Sequence, residues 1–184
     1  LMPLDPDRPF VPLGIAVLTV SDTRDRSTDR SGDALAQRIE AAGHRLAARA
    51  IVTDDRDLIA ARLRRWVADP GVDVVISTGG TGLTGRDVTV EAHRDVYEKE
   101  VEAFATIFAL VSWESVGTSA VQSRATGGVA GGTWLFALPG SPGACRDAWD
   151  RILCPQLDSR HRPCNFVEIT PRLTEGGPGG GRGS

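Results

Sequence analysis

The sequence predicts an α/β fold: a mostly parallel sheet with helices on both faces. Three observations carry this expectation. Apolar, β-branched runs alternate with amphipathic helical patterns through residues 1–80, the order that builds parallel sheets. The runs are nearly continuous in apolar residues, as strands buried on both faces are. Each run ends in small or polar residues, at Ser21-Asp22, Thr53-Asp54 and Thr78-Gly79. In such folds ligands bind beyond the carboxyl ends of the strands.

The elements follow in order. Residues 1–12 hold four prolines and predict an extended arm. "GIAVLTVSD" (14–22) is the first strand, and "TRDRSTDR" (23–30) a mobile loop of alternating charge. Ser31 is placed to cap a helix whose apolar face is Ala34, Leu35, Ile39 and Ala42, with Gly43 as its stop. "HRLAARAIVT" (44–53) is the second strand. Asp54 or Asp55 caps the next helix, which carries Leu58, Ile59, Leu63, Trp66 and Val67 at helical spacing. "VDVVIST" (72–78) is the third strand, and a short helix is expected over 87–97. A longer helix follows with Val101, Phe104, Ile107, Phe108 and Val111 on one face. Residues 119–140 predict two strands joined by a glycine-rich turn. Ser141 as N-cap and Pro142 at the first helical position open a helix burying Cys145, Ala148, Trp149 and Ile152, which Pro155 ends. "CNFVEIT" is expected as a final edge strand. The glycine-rich stretch 174–184 is expected to be disordered.

Composition narrows the function. With 184 residues, 41% of them hydrophobic and 24% charged, the chain fits one globular domain. A formal net charge of −3 speaks against nucleic-acid binding. Every basic residue but Lys99 is Arg, so any mechanism needing a lysine must use Lys99, which stands among acids. Cys145, Cys154 and Cys164 are widely spaced and odd in number, which predicts free, buried thiols. His44, His93 and His161 lack metal-ligand spacing and are expected at the surface or at caps. No apolar run approaches the roughly 20 residues of a membrane span. The start "LMPLDPDRPFVPL" lacks the order of a signal peptide. A cytoplasmic protein is the expectation.

The chemistry concentrates in "STGGTGLTGRDVTVEA" (77–92). "GTGLTG" (80–85) is literally a G-x-G-x-x-G, yet it follows the third strand, whereas a dinucleotide fingerprint follows the first. Glu100 and Glu102, the acids at the required distance, fall where a helix is expected to start. A P-loop needs a lysine that is absent. An NAD-dependent oxidoreductase is disfavoured on the same grounds. What survives is physical: Gly79, Gly80, Thr81 and Gly82 let backbone N–H groups approach a ligand, and a helix start near Asp87 adds to an anion site. The plain alternative is a tight strand-to-helix connection. A carboxylate at Asp87 beside such a cradle repels an anion unless a cation lies between, and Mg²⁺ takes just such mixed carboxylate and phosphate oxygens. Asp54, ending the second strand, invites the same reading; for both, the alternative is a helix cap. "LPGSPGAC" (138–145) offers Gly140 and Ser141 at another strand-to-helix turn, as phosphate contacts or simply as a cap.

Several motifs together resemble the MoaB/Mog family of molybdenum-cofactor biosynthesis proteins, whose relatives include the G domains of gephyrin-like proteins. They are "SD" at the first strand's end, "DRSGDAL", "TGGTG" with "RDVT", and "LPGSPGACRDAW", over about residues 12–168. "QLDSRHRPCNF" (156–166) is similar to the MoaB branch. The resemblance implies a three-layer α/β/α, molybdopterin-binding (MogA-like) fold. Residues 13–170 would form it, between an arm (1–12) and a tail (171–184). It implies a homo-oligomer, a trimer or a hexamer made as a dimer of trimers, working with other proteins of the pathway. The implied activity is adenylylation of molybdopterin by Mg-ATP with release of pyrophosphate. Asp54 and Asp87 match the family's two functional aspartates and are assigned to catalysis and Mg²⁺. Gly79, Gly80, Thr81 and Gly82 match its glycine loop. Ser21, Asp22, Gly140 and Ser141 match segments contacting phosphate, pterin and nucleotide. Arg86 is a candidate for offsetting transition-state charge, or a surface residue. The alternative function is a non-catalytic molybdopterin-binding or assembly protein of the same pathway.

Overall fold

Six strands form one mixed sheet: β1 (Gly14–Val20), β2 (Arg45–Val52), β3 (Val74–Thr78), β4 (Lys99–Glu100), β5 (Thr126–Ala130) and β6 (Thr133–Leu138). The computed structural model describes residues 4–176. Strand order is β2-β1-β3-β6-β5-β4. β2, β1, β3 and β6 run parallel, while β5 returns antiparallel to β6 and the two-residue β4 is antiparallel to β5. The carboxyl ends of the four parallel strands therefore share one sheet edge with the start of β5.

Strand alternation divides the core in two. Ile15 and Val17 of β1 join Val74, Ile76, Phe136 and Leu138 in one cluster. α1 (Arg30–Ala41), α4 (Glu102–Val116) and α5 (Pro142–Ala148) cover that face. Ala16, Leu18 and Val20 face the other way with Val75 and Leu135, under α2 (Arg56–Val67) and α3 (Thr89–Arg94). The three-layer α/β/α expectation is met. Each fully buried Leu, Ile or Phe contributes about 1.5–3 kcal/mol relative to exposure, and the sheet's two faces share that burial.

Several local expectations are corrected. α1 is capped by Asp29, whose carboxylate accepts the Gly32 N–H, and Ser31 is buried inside the first turn. Asp29 also accepts from the Thr19 hydroxyl at 2.8 Å and pairs with Arg49 at 2.8 Å, so the buried carboxylate is satisfied on every side. Asp55, not Asp54, caps α2. Ser141 caps α5 as expected, and Cys145, Ala148, Trp149 and Ile152 are buried. That helix does not stop at Pro155. It passes through a π-helical turn (Trp149–Leu153) into α6 (Cys154–Gln156). The wider turn makes room for a ring that an unbroken α-helix would drive into a carbonyl. "CNFVEIT" is not a strand: Asn165 accepts the Glu168 N–H and caps α7 (Phe166–Ile169), which a 3₁₀ turn (Thr170–Arg172) continues. Phe166 stacks on Trp134 with centroids 4.3 Å apart.

Other differences concern exposure. Ile107 lies outward at 46%. Of the thiols only Cys145 is buried; Cys154 is half-buried and Cys164 exposed. His44 and His93 are buried, His93 completely. α4 and the 3₁₀ turn after it (Gly117–Gln122) make a 21-residue stretch, Glu102–Gln122, long and apolar enough by composition to cross a membrane. It packs as a layer helix, burying Phe104, Phe108 and Val111 and pairing Glu114 with Arg151 at 2.6 Å. Residues 1–3 of the expected arm and 177–184 of the expected tail lie outside the described residues.

Candidate functional site

The strand-end residues converge because β3 and β6 are neighbours. The Gly79 N–H donates to the Leu138 carbonyl at 3.0 Å, and the Thr78 hydroxyl donates to the Pro139 carbonyl at 2.9 Å. These bonds hold the loop after β3 against the Pro-Gly-Ser turn after β6. The chain can leave β3 so sharply only through glycine. Gly79 has φ +102°, and a Cβ there would fall on the Val20 carbonyl oxygen. Gly80 has φ +65°, and a Cβ would strike the Thr89 hydroxyl and lie 2.9 Å from the Asp54 carboxylate. The Thr89 hydroxyl in turn donates to the Gly79 carbonyl at 2.8 Å, tying the start of α3 to the glycine turn.

The result is a hollow of about 320 Å³ lined by Gly80, Thr81, Gly82, Asp87, Pro139 and Gly140, with Ser119, Gln122 and Ser123 on the far wall. Five predicted residues thus line one space. Gly79 lies behind them in the turn. Ser21 turns away, its hydroxyl accepting the N–H groups of Thr23 and Arg24 at 3.2 and 3.1 Å. The Ser141 hydroxyl accepts the Ala144 N–H at 3.1 Å as a cap. Arg24 reaches from the loop after β1 to the Gly140 carbonyl at 2.9 Å and the Ser31 hydroxyl at 2.7 Å, so that loop is tethered to the site.

The three carboxylates differ. Asp87 accepts the Thr84 hydroxyl at 2.7 Å and the Thr84 N–H at 2.8 Å, and these bonds hold its carboxyl below the usual range. Asp22 pairs with Arg86, which lowers its carboxyl, and accepts the Asp54 N–H at 3.0 Å. Asp54 is half-buried, and its carboxyl is pushed up, first by burial and then by the nearby charge of Asp22, with Asp87 adding to it. The Arg86 cation opposes part of that rise, so Asp54 is a partly desolvated carboxylate between like charges and one cation. No set of three or more His, Cys, Asp or Glu side chains forms a metal cluster among the described residues. Asp54 and Asp87 present two carboxylates beside a backbone cradle, a donor set suited to Mg²⁺ that completes its shell with water and phosphate oxygens.

Sequence reasoning missed Arg124 and the far wall. The Arg124 Nε donates to the Gly82 carbonyl at 2.9 Å, one Nη to the Asp87 carbonyl at 3.2 Å, and the guanidinium pairs with both oxygens of Glu91. The signal was present. A glycine-turn hairpin makes β5 antiparallel to β6, and that direction brings "QSR" before β5 to the edge where β6 ends.

Comparison with known proteins agrees in kind. Residues 16–159 match the family model described as "Probable molybdopterin binding domain". Molybdenum cofactor biosynthesis protein B of Escherichia coli K12 is 48% identical over 157 residues, covering 85% of this chain and 92% of that one. A crystal structure of a molybdenum cofactor biosynthesis protein B superposes with TM-score 0.81 at 36% identity, over 89% of this chain and 96% of that one. The tungsten cofactor synthesizing protein MoaB of Pyrococcus furiosus gives TM-score 0.73 at 30% identity, over 89% and 98%.

Proposed function

The chain belongs to the molybdopterin-binding domain family of molybdenum-cofactor biosynthesis proteins, and we propose that within that pathway it adenylylates molybdopterin with Mg-ATP. In this reading an oxygen of the pterin's terminal phosphate attacks the α-phosphorus of ATP. The new P–O bond forms as the bond to the bridging α–β oxygen breaks, and pyrophosphate leaves. Such a transfer needs positioning and charge neutralisation rather than a covalent intermediate. Bound Mg²⁺ would supply that neutralisation, held by Asp54 and Asp87.

Other roles fall to groups around the hollow. Gly80, Thr81 and Gly82 would present backbone N–H groups, and Thr81 its hydroxyl, to phosphate, with Gly79 making the turn that aims them. Gly140 and Ser141 would shape the opposite wall toward the pterin. Ser21 and Asp22 would hold the loop after β1 in place, with Asp22 keeping Arg86 at the mouth until phosphate competes for it. Residues 13–170 would be the working domain, between the arm (1–12) and the tail (171–184). We place the protein in the cytoplasm, where Cys145, Cys154 and Cys164 stay reduced, as a homo-oligomer alongside other proteins of the pathway.

The observation that carries this reading is a pair of carboxylates at one glycine turn: Asp87 lines the hollow, and Asp54 lies against Gly80, which lines it too. The test mixes purified protein with molybdopterin, ATP and Mg²⁺ and quantifies adenylylated pterin. Asp54→Asn and Asp87→Ala are each expected to lower the rate at least about 100-fold, the scale of losing one electrostatic stabiliser. Wild-type protein that binds molybdopterin but forms no product would instead make it a pterin-binding assembly protein. Full activity in Asp87→Ala would remove the role given to that carboxylate.

A further inference from the structure

Residues Leu83 to Arg86 form a short excursion between Gly82 and Asp87, and a single side chain closes both ends of it. The Arg124 guanidinium donates to the Gly82 carbonyl at 2.9 Å and the Asp87 carbonyl at 3.2 Å, while Glu91 in the first turn of α3 accepts two more of its N–H groups. Arg124 stands two residues before β5, which the sheet holds through the β5–β6 ladder. One planar, five-donor group therefore ties sheet, loop and helix together.

We infer that Arg124, with Glu91, is a positioning residue that sets the distance between the Asp87 carboxylate and the glycine cradle. This rests on the reading of the hollow as a Mg-ATP site. The geometry gives a directional reason. Drawing the Gly82 and Asp87 carbonyls onto Arg124 keeps carbonyl oxygens off the incoming phosphate and leaves the hollow to Gly80, Thr81, Gly82 and the Asp87 side chain. Asp87 is then anchored twice, its carbonyl on Arg124 and its carboxylate on Thr84. The excursion also carries Arg86 toward Asp22, so its base fixes where that cation can reach. Lysine cannot replace the arrangement, because a point ammonium lacks the fork that reaches two carbonyls and a carboxylate at once.

The test uses Arg124→Lys and Glu91→Gln in the full chain. The first readout is amide hydrogen exchange, which needs no ligand. Arg124→Lys should raise exchange in residues 82–88 and leave β1 and β3 at wild-type protection. The second is Mg-ATP binding by calorimetry. Arg124→Lys should bind about 10- to 100-fold more weakly, as small misplacements do, and raising Mg²⁺ should recover part of the loss, since Asp87 is displaced rather than removed. Glu91→Gln keeps a hydrogen-bonding partner for the guanidinium and should fall between Arg124→Lys and wild type in both readouts, which keeps the test valid should the arginine variant fold poorly. Unchanged exchange in 82–88 in both variants overturns the inference, as does wild-type Mg-ATP affinity in Arg124→Lys. Wild-type protein that fails to bind Mg-ATP overturns the functional reading instead, and the exchange result still decides whether Arg124 fixes the loop.

Discussion

His93 shows how a single residue is decided by its surroundings. From the sequence it is one of three unremarkable histidines. In the fold it is fully buried, with Nε2 2.8 Å from the Ser77 hydroxyl and Nδ1 3.2 Å from the Tyr97 hydroxyl, which itself donates to the Leu135 carbonyl at 3.4 Å. A proton on Nδ1 and a Ser77 hydroxyl donating to Nε2 satisfy the whole chain of bonds with a neutral ring. Burial pushes its pKa down from 6.5 to about 3. The unfolded chain therefore binds a proton between those values that the folded chain refuses. Stability from this residue is whole above pH 6.5 and falls as the pH drops toward 3, by up to about 1.4 kcal/mol per pH unit. Urea titrations of wild type and His93→Gln at pH values from about 7 down to about 4 check this, the glutamine variant giving the flatter profile because other groups titrate alike in both. Parallel profiles would show that His93 titrates in the native state. Asp54 and Asp87 were legible as candidates because one follows the end of β2 and the other follows the glycine loop after β3. His93 and Arg124 were not, since Ser77 and the loop after β3 reach them only through the fold.

At the scale of elements, what was legible follows from local physics. β1, β2, β3 and α5 follow from apolar runs and from a Ser-Pro start, signals that neighbours in the chain complete by themselves. The last helix and the π turn were missed because tertiary contacts decide them: Phe166 stacks on Trp134, and Asn165 is buried where it caps α7. The glycine turn between β3 and α3 belongs to the first kind, and its demand can be measured. At Gly79 the backbone is left-handed and the missing Cβ is the space that the Val20 carbonyl occupies. Gly79→Ala should therefore lower unfolding free energy by at least about 1–3 kcal/mol, the range for a strained backbone site, with the midpoint of denaturation reporting it. A variant as stable as wild type would mean that the turn relaxes without cost, and that the cradle is not held by its backbone.

At the scale of the whole molecule, an apolar stripe stands out among the described residues. Along α4 and the following 3₁₀ turn, Ile107, Leu110, Trp113, Val116 and Val121 are between 46% and 84% exposed. Their three-residue spacing along α4 sets Ile107, Leu110 and Trp113 on one face, beside the buried Phe104, Phe108 and Val111. Chains that function alone seldom expose a stripe of that kind. The occupant we propose for it is a second copy of this chain. The stripe also reaches the site, because the 3₁₀ turn carrying Val121 carries Ser119 and Gln122 in the wall of the hollow. Leu110→Arg combined with Trp113→Glu is expected to shift the protein to monomers in light scattering coupled to size-exclusion chromatography. It should also make the thermal midpoint independent of protein concentration, because mass action no longer favours the folded assembly. The same variant should bind Mg-ATP more weakly, since the wall built on the 3₁₀ turn loses the packing behind it. An unchanged assembly mass would assign the stripe to something other than self-association. A monomer with full Mg-ATP affinity would show that each subunit builds its site alone.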